Sequence, residues 1–320
     1  MRLLNEHDVD ALASVKRGLA AARETAGMVA AGTLTTGRVQ ISNETAWMRI
    51  LAGLVPDLDL IGHKEFHRVG KHVHYHVSLF RQSTGEPLGI IDGRRITSLR
   101  TACTAALPFR QFFEDREVDL AVIGSGEEAK EGLRAVAECI RLRSVTVFSP
   151  TESNREAFAL KASEDLGRAV GTAASLGDAL AGANAAYVAT GSQTTFVHAE
   201  DVAGLEFLAA VGATRPDHHE LAGDVIATAG QVIVDCGDAL HEPGDMIDAT
   251  TQCGWDSGTA VLLGRYLDGG GPPAVPGVVV YKSIGSVEQD LVLAYRLLEA
   301  AASEGRGTVV PVVASLRTMR

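Results

Sequence analysis

Along the first third of the chain the apolar positions change period. Val9, Leu12, Val15, Leu19 and Ala22 recur at helical spacing, which predicts a helix from residue 5 to about 31, ended by Gly32. From about 37 to 92 the period falls to two. Val73, Tyr75, Val77 and Leu79 alternate with His72, His74, His76 and Ser78, as in a half-buried strand, and Gly70 and Gly85 mark turns. The segment GRRITSLRTACTAAL, 93–107, then has the small residues of a closely packed helix.

From residue 119 short apolar runs alternate with helical segments. Runs at 120–123, 145–148, 169–171, 185–189, 207–211, 232–235 and 278–281 predict strands. Strands separated by helices predict crossover connections and a parallel sheet covered on both faces, the α/β class. The chain closes with a helix from 286 to about 303, with Val287, Leu291, Ala294 and Leu298 on one face. The stretch 269–277, GGGPPAVPG, reads as a flexible loop, and no internal repeat is visible.

Composition narrows the function. Over 320 residues, Lys+Arg 29 against Asp+Glu 40 gives a net charge of −11, which disfavours a phosphate backbone as partner. A chain 46% hydrophobic and 22% charged is ordinary for a globular protein. With 34 glycines and 5% aromatics, the core must be aliphatic and the turns tight. No apolar run approaches the roughly 18 residues of a membrane span. Glu6, Asp8 and Asp10 make the N-terminus unlike a secretory signal. Cys103, Cys139, Cys236 and Cys253 lie far apart, with neither zinc spacing nor a disulfide framework, so a reducing cytoplasm is expected.

The strongest local motif is LAVIGSGEEAKEGLRAVAECI, 120–140. An apolar strand runs into Gly124, Ser125, Gly126, Glu127, Glu128 and Ala129, then into a helix with Ala129, Leu133, Val136 and Ile140 on one face. This is GxGxxA between strand and helix, the pattern of a Rossmann-type doubly wound domain. Gly124 permits the tight turn, Gly126 lets the backbone approach a pyrophosphate, and Ala129 lets the helix pack on the strand. Such turns also occur without a ligand. Glu127 and Glu128 stand where an anion would dock, so they are expected to point away.

The second strand ends VTVFSPTESNRE, and Ser149 falls where an NAD site usually carries an acid. Without that acid a 2′-phosphate is not repelled, and Ser149, Thr151 and Arg155 are its candidate partners. The expected cofactor is NAD(P)(H), with NADP(H) slightly favoured. The alternative is a solvated loop with NAD bound.

Six segments, RITSLRTACTAAL, VIGSGEEA, YVATGSQTTFV, AAVGATRPDHHEL, VIVDCGDALHEPGD and VYKSIGSVEQDL, resemble in order and spacing the motifs of the ornithine cyclodeaminase/mu-crystallin family. The resemblance covers about 95–298 and is weaker over 1–94. It implies an NAD(P)-binding Rossmann domain at 118–285, and an α+β substrate-binding and dimerisation domain at 1–117 plus 286–320. The subunit would be a homodimer with an active site in the cleft. Arg100 matches the family arginine that grips the substrate carboxylate, which suits a guanidinium fork, although an ion pair at a helix start fits the bare residue too. Lys64 in LIGHKEF resembles the family lysine that binds the carboxylate or exchanges a proton with the substrate. Arg38 is a second carboxylate clamp or a solvated surface arginine. Thr190 and Ser192 match the segment under the adenosine half. Val211, Gly212, Ser283 and Gly285 match segments flanking the nicotinamide, and Asp290 matches an acid on the final helix, read as its N-terminal charge.

One departure is informative. Thr214 stands where cyclodeaminases carry an aspartate, two residues before Pro216, for acid/base work in ring closure. A threonine hydroxyl is no general base near neutral pH, and a hydroxyl is common there in the ketimine reductase and mu-crystallin branch. Imine reduction needs only a hydride, a clamp and one proton. The resemblance therefore implies NAD(P)H-dependent reduction of a small imino acid or ketimine at Cα, or the matching amino-acid oxidation. Alternatives are an ornithine-type cyclodeaminase with recycled NAD, and a non-catalytic NADPH-binding crystallin-like protein. His72, His74 and His76 with His63 and His67 tempt a zinc reading. The family needs no metal, so these histidines are read as the polar face of a sheet, at a subunit interface. His218 and His219 are either proton donors or a solvent-facing turn.

Overall fold

The computed structural model describes residues 1–269 and 276–312. Most of the predicted loop 269–277 lies outside the described residues, as does 313–320. The chain opens with strand β1 (Arg2–Leu4), and the first predicted helix is two helices, α1 (Glu6–Leu12) and α2 (Val15–Ala31). Asn5 caps α1: its side chain accepts from the Asp8 N–H at 3.0 Å, and the Asp8 carboxylate accepts from the Asn5 N–H at 3.2 Å. Ala13 is extended (φ −70, ψ 119) and breaks the run. The apolar spacing continues across the break, so periodicity alone could not reveal it. Gly32, at φ +71, follows α2 as expected.

An antiparallel run comes next: β2 (Thr35–Ser42), β3 (Ala46–Val55), β4 (Leu60–Val69), β5 (His72–Arg81) and β6 (Pro87–Asp92). After α3 (Arg94–Phe113) the alternating part follows with β7 (Glu117–Ile123), α4 (Glu127–Cys139), β8 (Arg141–Phe148), α5 (Glu152–Leu166), β9 (Gly171–Thr172) and α6 (Leu176–Leu180). It continues through β10 (Ala185–Val188), β11 (Phe207–Ala210), α7 (Gly223–Ala227), β12 (Gln231–Val234), α8 (Gly244–Cys253), β13 (Val261–Leu262) and α9 (Leu263–Gly269). The last elements are β14 (Val279–Lys282), α10 (Val287–Glu304) and β15 (Thr308–Val309). β1, β13 and β15 escape sequence reading because two or three residues carry no period. No helix among the described residues is long and apolar enough to cross a membrane.

The chain divides into two compact units. The first holds Met1–Arg17, Gly32–Thr97 and the chain from Val287 onward. Its seven-stranded sheet has the order β15-β1-β6-β5-β4-β3-β2. Helix α10 lies against β3, β4 and β5, burying Val287, Leu291, Ala294 and Leu298 as the spacing predicts. The helix sits close because the sheet offers glycine beneath it. A Cβ at Gly62 would lie 3.0 Å from Leu291, and one at Gly89 would lie 2.8 Å from Leu298.

The second unit holds Gly18–Ala31 and Ser98–Ser286. Its eight-stranded sheet has the order β13-β12-β14-β11-β10-β7-β8-β9, and every pairing is parallel. The core is aliphatic, as the low aromatic content requires. Its largest aromatic cluster among the described residues is a knot in which Phe109, Phe112 and Phe113 of α3 surround Phe207 at centroid distances of 4.6, 5.4 and 6.2 Å. The fully buried Tyr187 ring packs beside Phe109 and against Gly132 of α4, where a Cβ would run into the ring. Gly132→Ala is therefore expected to lower the unfolding free energy by about 1–3 kcal/mol through overpacking. Urea denaturation measures this; an unchanged midpoint would mean that the ring does not fill that space.

Candidate functional site

In the second unit, β7 lies between β8 and β10. The chain passes from β7 through α4 to β8 on one side, and later strands build outward from β10 on the other. The carboxyl end of β7 is thus the switch point of the sheet, where open α/β sheets hold ligands. Gly124 stands there at φ +120, and a Cβ on it would strike the carbonyl oxygen of Ala189. Only glycine fits that turn. Gly126 is the N-cap of α4, is exposed and supplies no side-chain cap, and an added Cβ there would meet nothing within 4 Å. Helices α1 and α6, by contrast, are capped by Asn5 and Ser175. The leading amides of α4 thus face open space with no cap side chain over them, the arrangement that receives a diphosphate. Ala129 is fully buried beneath the turn.

Glu127 is exposed and lines the groove beside the glycine turn together with Ser125 and Gly126. Glu128 is half-buried on the side of Tyr187, whose phenol pKa is pushed well up by burial first and by the charges of Glu128 and Glu220 after it. Ser125 Oγ donates to Ser149 Oγ at 2.9 Å, and Arg155 Nη1 donates to the Ser149 carbonyl at 3.3 Å. Ser125, the buried Ser149 and Arg155 are therefore brought together. Thr151, exposed, opens α5 without capping it. The first carboxylate beyond β8 belongs to Glu152, 3.5 Å from Arg155. A groove of about 510 Å³ runs from the glycine turn between α4 and α5, lined in part by Lys130, Arg134, Asn154 and Lys161.

Three further strand ends are tied by buried carboxylates. Glu220 Oε1 accepts from the Thr190 N–H at 2.6 Å and from Thr190 Oγ1 at 2.9 Å. Its Oε2 accepts from the amides of Gly212 at 2.8 Å and Ala213 at 2.9 Å. Asp245 in turn accepts from the amides of Glu220 at 2.8 Å and Leu221 at 3.3 Å, and from the Lys282 ammonium at 2.8 Å. Burial raises the pKa of Glu220; Lys282 opposes that shift and Asp245 adds to it. Asp235 accepts from Ser283 Oγ and the Gly285 N–H, both at 2.8 Å. Gly285 is at φ +75, and a Cβ there would collide with the guanidinium of Arg100, which lies across the turn. Ser192 Oγ is turned to the Thr194 carbonyl at 2.6 Å. Val211 is buried, and Thr214 follows Ala213 half-buried.

The first unit holds the lysine. Lys64, on β4, is 2% exposed, and its ammonium lies 2.9 Å from Asp290 Oδ1 of α10. The rings of Phe66 and Tyr75 lie 5.5 and 5.7 Å from the same nitrogen. Asp290 is therefore more than a helix-terminal charge: it is the buried partner of Lys64. The cross-strand pairs Arg38↔Leu51 and Leu51↔Lys64 put Arg38 in the row of Lys64, two strands away on the same face. On the opposite face His67 pairs with His74, rings stacked at 5.3 Å, and His67 Nδ1 lies 3.2 Å from Glu65. His218 and His219 are both half-buried, and His219 lies 3.2 Å from Asp248. Sequence reasoning assigned no role to Glu220, Asp235, Asp245 or Lys282. Their one signal is placement, a lysine closing an apolar strand and acids within small-residue loops.

A parallel sheet with a glycine turn at its switch point, opening an uncapped helix, defines a dinucleotide-binding α/β protein. The sequence profile described as Ornithine cyclodeaminase/mu-crystallin family matches residues 62–305. The chain belongs to that family. It is 28% identical over 288 residues to a Delta(1)-pyrroline-2-carboxylate reductase of Bacillus cereus, covering 86% of this chain and 88% of that one. It is 28% identical over 229 residues to the ketimine reductase mu-crystallin of Mus musculus, covering 71% and 69%. Among solved structures, the Thermococcus litoralis Delta(1)-pyrroline-2-carboxylate reductase in complex with NADH and L-proline shares the fold at a TM-score of 0.89 and 23% identity, over 97% of this chain and 100% of that one. The iminosuccinate reductase of Paracoccus denitrificans with NAD+ does so at 0.90 and 21%, over 98% and 99%.

Removing one partner of a buried ion pair costs about 3–5 kcal/mol. Asp290→Ala should therefore lower stability by that order in a urea titration. A loss below about 0.5 kcal/mol, the range of an ordinary surface change, would show that Lys64 and Asp290 do not pair in solution.

Proposed function

We propose that the protein is an NAD(P)H-dependent reductase of small imino acids or cyclic ketimines that can also run the matching amino-acid oxidation. The observation that carries this reading is the uncapped start of α4 at the switch point, with Gly124 required beneath it. Family membership and relatives named for pyrroline-2-carboxylate and ketimine reduction support the substrate class. A bound nicotinamide supplies the hydride.

The chain's own residues do the rest. In this reading 118–285 carries the dinucleotide, and 1–117 with 286–320 carries substrate and dimer contacts. Gly124, Ser125, Gly126 and Ala129 seat the diphosphate. Ser149, Thr151 and Arg155 hold the adenosine ribose, and their hydroxyls and cation, with no acid closing β8, favour NADP(H) over NAD(H). Thr190 and Ser192 lie under the adenosine half. Val211, Gly212, Ser283 and Gly285 flank the nicotinamide. Arg100 takes the substrate carboxylate with a two-pronged hydrogen bond, aided by Arg38. Lys64, held by Asp290, passes a proton to the substrate nitrogen, and the Thr214 hydroxyl orients the substrate.

We place the protein in the cytoplasm as a homodimer. The four free cysteines support the compartment. The dimer is supported by β2, an edge strand exposed throughout, on which Val39 and Ile41 are each 63% exposed. An apolar edge of that kind needs covering.

The test follows NADPH and NADH absorbance with five- and six-membered cyclic ketimine carboxylates. Oxidation of the cofactor without ammonia release is expected. Arg100→Met should lower kcat/KM about 100-fold or more, because a two-pronged charge-assisted contact is lost. Unchanged kcat/KM would remove Arg100 from the carboxylate. Ammonia released from ornithine with no net change in NADH would make the protein a cyclodeaminase instead.

A further inference from the structure

Arg100 is fixed at both ends. Its backbone lies in α3, where Leu99, Ala102 and Cys103 are fully buried. Helix α2 presses on them so closely that a Cβ at Gly18 would run into Cys103 Sγ and lie 3.1 Å from Leu99. The tip of Arg100 lies across the turn 283–285. A Cβ at Gly285 would lie 2.5 Å from Arg100 Cζ and 2.7 Å from Nη2, with Nη1 nearer still. The guanidinium therefore fills the volume that any side chain at 285 would take. Gly285 is also at φ +75, a conformation that other residues adopt only with strain.

The turn itself is held by Asp235. Because Val234 pairs with Lys282 in the parallel sheet, the residue after β12 lies beside the residues that follow β14. Asp235, 2% exposed, accepts from Ser283 Oγ and the Gly285 N–H at 2.8 Å, and from the Ile284 N–H at 3.3 Å. Three consecutive residues thus hang on one buried carboxylate. The residue before them, Lys282, is fully buried and lies 2.8 Å from Asp245. A turn pinned in this way keeps one shape. A clamping guanidinium needs such a surface. Its two-pronged hydrogen bond to a carboxylate is directional, and an arginine side chain left loose samples many rotamers.

Resting on the reading that Arg100 takes the substrate carboxylate and that 283–285 flanks the nicotinamide, we propose that Gly285, pinned by Asp235, is the seat that aims the Arg100 fork. Neither residue touches the substrate in this account. Both are positioning residues that act through the direction of the guanidinium. One turn then sets two positions at once. It borders the ring that gives hydride, and it carries the tip of the group that holds the carboxylate. The imine carbon bonded to that carboxylate is thereby brought into register with the ring. A side chain at 285 displaces the fork while the arginine remains, and an amide at 235 loosens the turn beneath it.

The experiment is a double-mutant cycle. It measures kcat and KM for a cyclic ketimine carboxylate, at saturating reduced cofactor, in the wild type, Gly285→Ala, Arg100→Met and the double variant. With Arg100 present, G285A should lower kcat/KM about 100-fold, the loss expected from a misaimed reactant, and mainly through KM. In the R100M background the same change should cost less than about twofold, because the fork it misaims is gone. A change at 285 that harmed only the fold or the cofactor ring would act in both backgrounds alike. Losses that multiply to within about twofold would therefore overturn the proposal, as would a G285A enzyme with unchanged KM. Should G285A fail to fold by circular dichroism, Asp235→Asn takes its place in the same cycle, with the same dependence on Arg100 expected. An R100M enzyme with unaltered kcat/KM would instead defeat the carboxylate reading of Arg100 itself.

Discussion

Where Thr190 passes Gly212, the ends of β10 and β11 approach so closely that a Cβ on Gly212 would strike the Thr190 carbonyl and the Glu220 carboxylate. One side chain holds that approach. Glu220 reaches back from the loop before α7 and takes donors from both strand ends at once. Backbone amides at the end of a sheet have no further ladder partner, and buried ones must find an acceptor. A single carboxylate supplies it for three of them. Its own backbone is fixed by Asp245, and Asp245 by Lys282, so the positions of four loops depend on one connected set of buried charges. Such a set is costly to assemble and strongly directional once complete, which suits loops that must hold a ligand in one place.

The first unit uses the same device on a smaller scale. Lys64 points into the packed face of the sheet, where an unpaired ammonium would be costly, and Asp290 of α10 meets it there. Because Gly62 and Gly89 let α10 sit low on the sheet, the placement of the lysine and the packing of the helix are one problem. Substitutions that lift α10 should disturb Lys64 without touching it.

Much of this was legible in the sequence where the signal is local. The alternation at 72–79, the glycine turn at 124–129 and the apolar face of the last helix each depend on spacing within one element, and each stands where it was read. Length hides elements: β13 has two residues, too few to show a period. Continuity hides breaks, since the apolar spacing runs through Ala13. The carboxylate set was illegible for a different reason. Glu220, Asp235, Asp245 and Lys282 come from four separate stretches of chain, and only the strand order of the sheet brings them together. A residue such as Asp290, read as a helix-end charge, acquires its partner 226 positions away in the sequence.

The same set bears on the choice between reduction and cyclodeamination. With Thr214 in place of an aspartate, an acid nearby in the chain would have to stand in for the missing base, and Glu220 is six positions on. Its geometry forbids the exchange. To take a proton, Glu220 would have to give up one of four donors and turn it toward nothing, in a site without water access, and the two strand ends would part with it. Asp245 is committed in the same way to Lys282. His219 lies 3.2 Å from Asp248. The loop between β11 and α7 thus carries a hydroxyl and a saturated carboxylate. Neither is a base that could take a proton from an amine near neutral pH.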